Sequence, residues 1–490
     1  MAETQEPDPH RHSPDAMQDP SQTVTNDFDP YGMSPDATVD PPHSFSGALV
    51  RIGPGLILAG AIVGTGELIA TTHVGAKAGF ALLWLVMLSC FIKVFVQIEL
   101  GRHAISSGET TLRSLRGLPR VGTLFVWWWL IMVSVTQTQV GAMVGGVGQA
   151  IHLAVSGGAP AVSGLFEDRP ELPWAALTAV VTAALVGLGS YRVVQYVITS
   201  LVVVFTLMTV ACLGFLGSTD HAFGWAEIAS GLKFQLPEEA LMAAFAMIGI
   251  TGVGATELIS YPYWCIEKGY ARNTGPRSES SDWERRARGW MRVMHIDAWA
   301  SMVVYTTSTL AFYLLGAAVL FGETEGRGLP NTVAGMLQTL AGMYKPVLGL
   351  RGALWFIVIG AFATLYSTLF AAAAGLSRML TDFLWVNGFI RLKTEGDRLR
   401  WVRRFGMGLP FLSLALFVLI ADPTLMVIIG GFIQAVTLPM IGAAALFLRY
   451  RRTDRRITPG VVWDVFLWIS VVVLLVAAVY GVFTQLQKLF

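Results

Sequence analysis

The chain has 490 residues, 54% of them hydrophobic and only 14% charged, with a mean hydropathy of +0.57 and a net charge of +1. That composition lies outside the range of water-soluble domains, so lipid must be the solvent for most of the chain, and the near-zero charge offers nothing to nucleic acid. Cys90, Cys212 and Cys265 show neither CxxC nor CxxH spacing, which argues against a disulfide framework or a zinc site.

Residues 1–46 carry eight prolines and nine acidic residues against a single Arg, and hold no apolar run. They cannot bury enough surface to fold and lack the basic and apolar regions of a secretory signal, so they read as a disordered, acidic, Pro-rich cytoplasmic tail. His10, His12 and His43 belong to that tail as solvated residues. The remainder, 47–490, reads as one transmembrane domain.

Within it, apolar blocks bounded by Gly, Pro and charge predict about eleven transmembrane helices. They lie near 53–75, 80–100, 122–150, 174–190, 194–217, 240–264, 297–321, 352–378, 406–421, 424–448 and 461–485. The loops that follow the even-numbered spans hold 24 Lys and Arg; the odd-numbered loops and the C-terminal end hold seven. Because basic residues are retained on the cytoplasmic side, this asymmetry predicts a multi-pass protein of the cell membrane with its N-terminus inside and its C-terminus outside.

Two spans are interrupted by Gly-rich backbone and an acid: Gly64-Thr65-Gly66-Glu67-Leu68-Ile69 in the first and Gly254-Ala255-Thr256-Glu257-Leu258-Ile259 in the sixth. Span one runs inside to outside and span six the reverse. The two segments therefore occupy corresponding places in inverted halves of five spans, about 50–217 and 240–449, with the helix at about 461–485 as an appendage. Non-helical backbone at membrane depth is tolerated where it lines a polar cavity. A lone carboxylate there must bind a cation, meet water or take up a proton. Facing each other, Glu67 and Glu257 with Gly64 and Gly254 carbonyls and Thr65 or Thr256 hydroxyls form an all-oxygen site suited to hard divalent ions such as Mg²⁺, Ca²⁺ or Mn²⁺. The other reading of both glutamates is that they cap broken helix ends.

Over most of residues 50–450 the sequence resembles the Nramp family of divalent-metal transporters. The resemblance starts at Gly53-Pro54-Gly55 and continues through Gly75-Ala76, Gly79-Phe80, Leu82-Leu83-Trp84, Gln97, Arg102 and Ser107-Gly108 to Ser367-Thr368 and Ala374-Gly375. It implies a LeuT-like 5+5 inverted-repeat fold with helices one and six broken, and alternating access. The family's first-span metal aspartate falls on Gly64 and its asparagine on Glu67; its Met-Pro-His falls near Gly254-Ala255-Thr256. The thioether and the histidine that suit softer metals are thus replaced, and span three carries Gln137 and Gln139 where the family has acids. Gln434 in span ten lies about one turn from the family's metal-facing Gln.

Gln97, Arg102, Gln137 and Gln139 are accordingly candidates for the pathway or its coupling, and Gln434 for site lining or an interhelical hydrogen bond. Lys93 either reaches the interface with its long side chain or pairs with Glu99 or a pathway carboxylate. Trp127, Trp128 and Trp129 read as an interfacial belt, Asp297 and Asp464 as helix-start acids, and Asp382 as an ion-pair partner. With no HExxH and no nucleotide loop, an enzyme is not expected. The leading expectation is a secondary-active transporter of a divalent cation, Mn²⁺, Fe²⁺ or a harder ion such as Mg²⁺. Proton coupling stays open, lipid and the ion are the partners, a monomer is plausible, and no cofactor is expected beyond the transported cation. A LeuT-fold transporter of an amine or amino acid, and a membrane sensor, are the alternatives.

Overall fold

Backbone in lipid has to satisfy its own hydrogen bonds, which leaves the helix as the solution for apolar runs of this length. The computed structural model describes residues 29–33, 37–156, 168–188 and 191–487, and it is built of helices at the expected segments, with no strand among the described residues. Among the described residues eight helical runs are long and apolar enough to cross a bilayer, and shorter apolar helices occupy Leu172–Gly187 and Val203–Ser218.

Several helices extend beyond the apolar blocks. Span nine covers Glu395–Ile420 because Thr394 and Asp397 form a capping box well before the apolar block that starts near 406. Span seven covers Ser281–Leu315, started by Ser280, whose side chain accepts from the Trp283 N–H, and the helical run Lys345–Val386 that holds span eight is kinked at Gly349, with φ 69°. The turn between spans nine and ten is as tight as Asp422-Pro423 suggests: Ala421 is left-handed, with φ 58°, and Asp422 accepts from the Leu425 N–H at 2.9 Å before the helix Pro423–Arg451.

Asp297 does something other than start span seven. It lies well inside Ser281–Leu315 and accepts from the N–H groups of Gly53 (2.9 Å) and Gly55 (2.6 Å), the entry to span one. It is an N-cap supplied by another helix, and it ties the beginning of the first half to the second. Asp464 does stand at the start of Val461–Gln487, where it pairs with Arg449 at 2.6 Å. Of the three tryptophans, Trp127 is exposed, whereas Trp129 is fully buried and Trp128 donates to Thr437 Oγ1 at 3.0 Å, so only part of the expected belt faces outward.

The expected tail is shortened by the structure. Residues 1–28 and 34–36, with His10 and His12, lie outside the described residues, but Asp29–Met33 and residues 37–46 pack on the ends of the helices. Tyr31 is buried, edge-on to Tyr263 at 5.7 Å with the Arg398 guanidinium over its ring, and Asp29 pairs with Arg113 at 2.5 Å. Trp290 donates to the Val39 carbonyl at 3.0 Å. A few aromatic and charged anchors suffice where composition alone indicated disorder.

Candidate functional site

Two of the spans are broken, and the breaks create the site. In span one, Pro54–Ile62 ends at Val63, and a π-helical stretch, Thr65–Thr71, leads into Thr72–Ala78. In span six, Leu241–Ile250 ends at Thr251 and Ala255–Lys268 begins after Gly254. Gly252 takes φ +65°, and a Cβ there would press on Cys90 of span two (Leu83–Ser107), so the connecting backbone is both left-handed and tightly packed.

The cavity beside these breaks is lined by spans one, three, six, eight and ten. Its polar wall includes Thr256, Glu257, Gln434, Gln139, Gln137 and Thr368; its apolar wall includes Leu58, Ile62, Val133 and Leu376. From the break the lining follows the second half of span six to Trp264 and span eight to Met379, toward the face that carries the basic loops.

The predicted residues divide between this cavity and its surroundings. Glu257, partly buried in the first turn of Ala255–Lys268, faces the cavity. A Cβ on Gly254 would overlap its carboxylate and lie 2.9 Å from Gln434 Oε1, which puts Glu257 and Gln434 side by side over bare backbone. Gln434 accepts from the Thr256 N–H at 3.2 Å and donates to Gln139 Oε1 at 3.0 Å, so it both lines the cavity and makes an interhelical bond. Thr256 Oγ1 has no hydrogen-bond partner among the described residues. Gln137 lines the wall and accepts from Ser413 at 3.1 Å. Gly64 lies where a Cβ would overlap Thr368 Oγ1, bringing span one against span eight; the Thr65 side chain lies outside the described residues.

Glu67 is fully buried and is not part of the cavity lining. Its Oε1 accepts from Thr309 Oγ1 of span seven at 3.0 Å and from the Gly252 N–H at 3.4 Å, and Oε2 has no partner among the described residues. The two glutamates meet at the same break, one on the cavity and one behind it. Neither Gln97 nor Arg102 lines the cavity. Gln97 is fully buried with its amide unpartnered among the described residues, and Arg102 bonds Glu99 (3.2 Å), His295 (3.2 Å) and the Ile457 carbonyl (2.8 Å) at the basic face.

Two readings from the sequence change. Lys93 does not reach an interface: it is fully buried and donates to the carbonyls of Ile248, at 2.8 Å, and Thr251. A lysine eleven residues into a 25-residue helix is an intramembrane charge, a signal in its own right. Asp382 is buried and accepts from Thr110 at 2.6 Å and from Tyr263, hydroxyl donors in place of a cation. Thr309 and Thr368 carried no signal in the sequence as site residues. Among the described residues no three His, Cys, Asp or Glu come together as a metal cluster.

A family model described as natural resistance-associated macrophage protein-like matches residues 55–484. The chain belongs to the Nramp family. As an Nramp protein it is a multi-pass membrane transporter and not an enzyme. An uncharacterised protein of Pasteurella multocida is 25% identical over 383 residues, 74% of this chain and 77% of that protein. A mutant of the Eremococcus coleocola manganese transporter matches with a TM-score of 0.65 at 16% identity, covering 92% of this chain and 90% of that one. MhsT in complex with L-phenylalanine (TM-score 0.51, 15% identity, 91% of this chain and 99% of that one) has the same architecture. So does Mhp1, a nucleobase-cation-symport-1 family transporter (0.52, 14%, 92% and 93%). These likenesses establish the LeuT-like fold, with spans one and six as its broken helices.

Proposed function

We propose that this Nramp protein is a secondary-active transporter of divalent cations that binds its ion at Glu257, with Thr256, Gln434, Gln139 and the carbonyls freed at the breaks completing an oxygen-only set. The observation that carries the reading is the convergence of Glu257, Gln434 and Gln139 on one cavity at the break of span six. Oxygen donors favour hard ions, so Mg²⁺ and Mn²⁺ are preferred over Cd²⁺, and a single carboxylate among neutral amides makes for weak binding. The two halves, about 50–217 and 240–449, rock against each other to alternate access, and the basic face lies in the cytoplasm. Glu67 lies behind the break, where its carboxylate favours a cation whenever it is ionised.

The test is calorimetric titration of the purified full chain in detergent with Mg²⁺, Mn²⁺ and Cd²⁺, followed by flux into proteoliposomes with and without a pH gradient. Heat from Mg²⁺ or Mn²⁺ that is lost in Glu257→Gln is the expected result; a strongest response to Cd²⁺ contradicts the oxygen-only set. A second reading, transport of a small organic cation or amino acid, draws on the apolar wall of Leu58, Ile62, Val133 and Leu376 beside the amides. Saturable heat from such solutes, with none from any metal, selects it.

A further inference from the structure

The mechanism proposed above makes no use of Lys93, yet it is the most deeply placed cation among the described residues. Its carbon stem runs inside span two and its ammonium ends at the C-terminal end of the first half of span six, Leu241–Ile250. A helix that stops inside the membrane leaves its last carbonyls without partners and concentrates negative partial charge there. Met247 O is satisfied by the Thr251 N–H at 2.8 Å, whereas Ile248 O receives Lys93 Nζ at 2.8 Å, as does Thr251 O. The Thr251–Gly252 peptide is then held from both sides: its carbonyl accepts from Lys93, and its N–H donates to Glu67 Oε1. Titratable groups that act on the ammonium are Glu67 from span one, Glu257 from span six and Cys90 one turn earlier on its own helix.

From this geometry we infer that Lys93 is a resident cation. Its ammonium fills the ion position that the broken span six presents behind the cavity, as a sodium ion would, and clamps the break through the 251–252 peptide. The transporter therefore holds its site together without a second, dissociable cation. Removing the ammonium leaves a vacancy that faces two carbonyl oxygens, with the Glu67 carboxylate on the far side of the 251–252 peptide, and a small monovalent cation matches the charge that is lost. The inference stands apart from the identity of the transported solute, because the position is behind the cavity wall.

Thermal unfolding of the full chain in detergent decides it. Wild type in choline, sodium or ethylammonium chloride should melt at one temperature. Lys93→Ala should melt several degrees lower in choline and regain the loss saturably with Na⁺ or ethylammonium, which fit the vacancy, while Lys93→Met, which fills the volume without charge, should melt low in all three salts. A Lys93→Met midpoint equal to wild type, or a Lys93→Ala response to sodium and ethylammonium no different from that of wild type, overturns the proposal. Should Lys93→Ala fail to fold in every salt, Lys93→Arg and Lys93→Met decide: Arg melting above Met supports a resident cation, and Met melting as high as Arg or wild type, or both variants lost alike, overturns it.

Discussion

Glu67 and Glu257 carry the same carboxylate and meet different neighbours, Thr309 and backbone in one case and a cavity with two glutamines in the other. Their amide variants should therefore differ. In titrations with Mn²⁺ or Mg²⁺ we expect Glu257→Gln to remove the heat and Glu67→Gln to weaken it while leaving a measurable response; the opposite order would make Glu67 the ligand. A second residue shows how charge is used outside the membrane. Asp454, in the loop between spans ten and eleven, is held down to about 2 by a hydrogen bond from Arg456, with Arg277 also near. Its folded value lies below the ordinary 3.8, so its stabilisation is present above about pH 4 and is lost as pH falls through about 2. The gap in melting temperature between wild type and Asp454→Asn should accordingly shrink on acidification, and a gap that stays constant down to the acid limit would show that Asp454 works by shape and not by charge.

Helices pack here through backbone as much as through side chains. A Cβ on Gly249 would overlap the carbonyl oxygen of Gly431, and one on Gly431 would lie 2.5 Å from Ala246 O, so the first half of span six and span ten touch along bare backbone. Gly249→Ala should cost about 1–3 kcal/mol by overpacking, seen as a lower melting temperature, and should also weaken ion binding because it pushes Gln434 away from Thr256. An unchanged melting temperature would mean the two helices have room to part. The segment Asp29–Met33 forms a smaller element of the same kind. Tyr31, packed on Tyr263 and under Arg398, should cost on the order of 2 kcal/mol when cut to Ala, with faster protease cleavage near residue 29; equal cleavage would show that its burial adds nothing.

At the scale of the molecule, loop charge predicts the orientation, and all three native cysteines are buried, which gives a labelling experiment a quiet background. Arg285→Cys and Glu325→Cys, both at exposed sites on opposite faces, should react differently with an impermeant maleimide on intact cells: Glu325→Cys at once, Arg285→Cys after permeabilisation. The reverse pattern would invert the topology.

The sequence by itself determined that the chain is helical and membrane-embedded, where its helices lie and that spans one and six are broken, and it singled out Glu257, Gln434, Gln139 and Gln137, which line one cavity. These are legible because lipid acts on every residue locally, so length, hydropathy and Gly placement suffice. Only the tertiary structure decided that Glu67 sits behind the break, that Asp297 caps a helix 242 residues away, and that Lys93 finds carbonyls 155 and 158 residues along the chain. The reason is rotational: each residue turns a helix by about 100°, so the partner a polar side chain meets depends on how that helix is turned against its neighbours. Packing across the whole bundle sets that angle, and no local pattern records it.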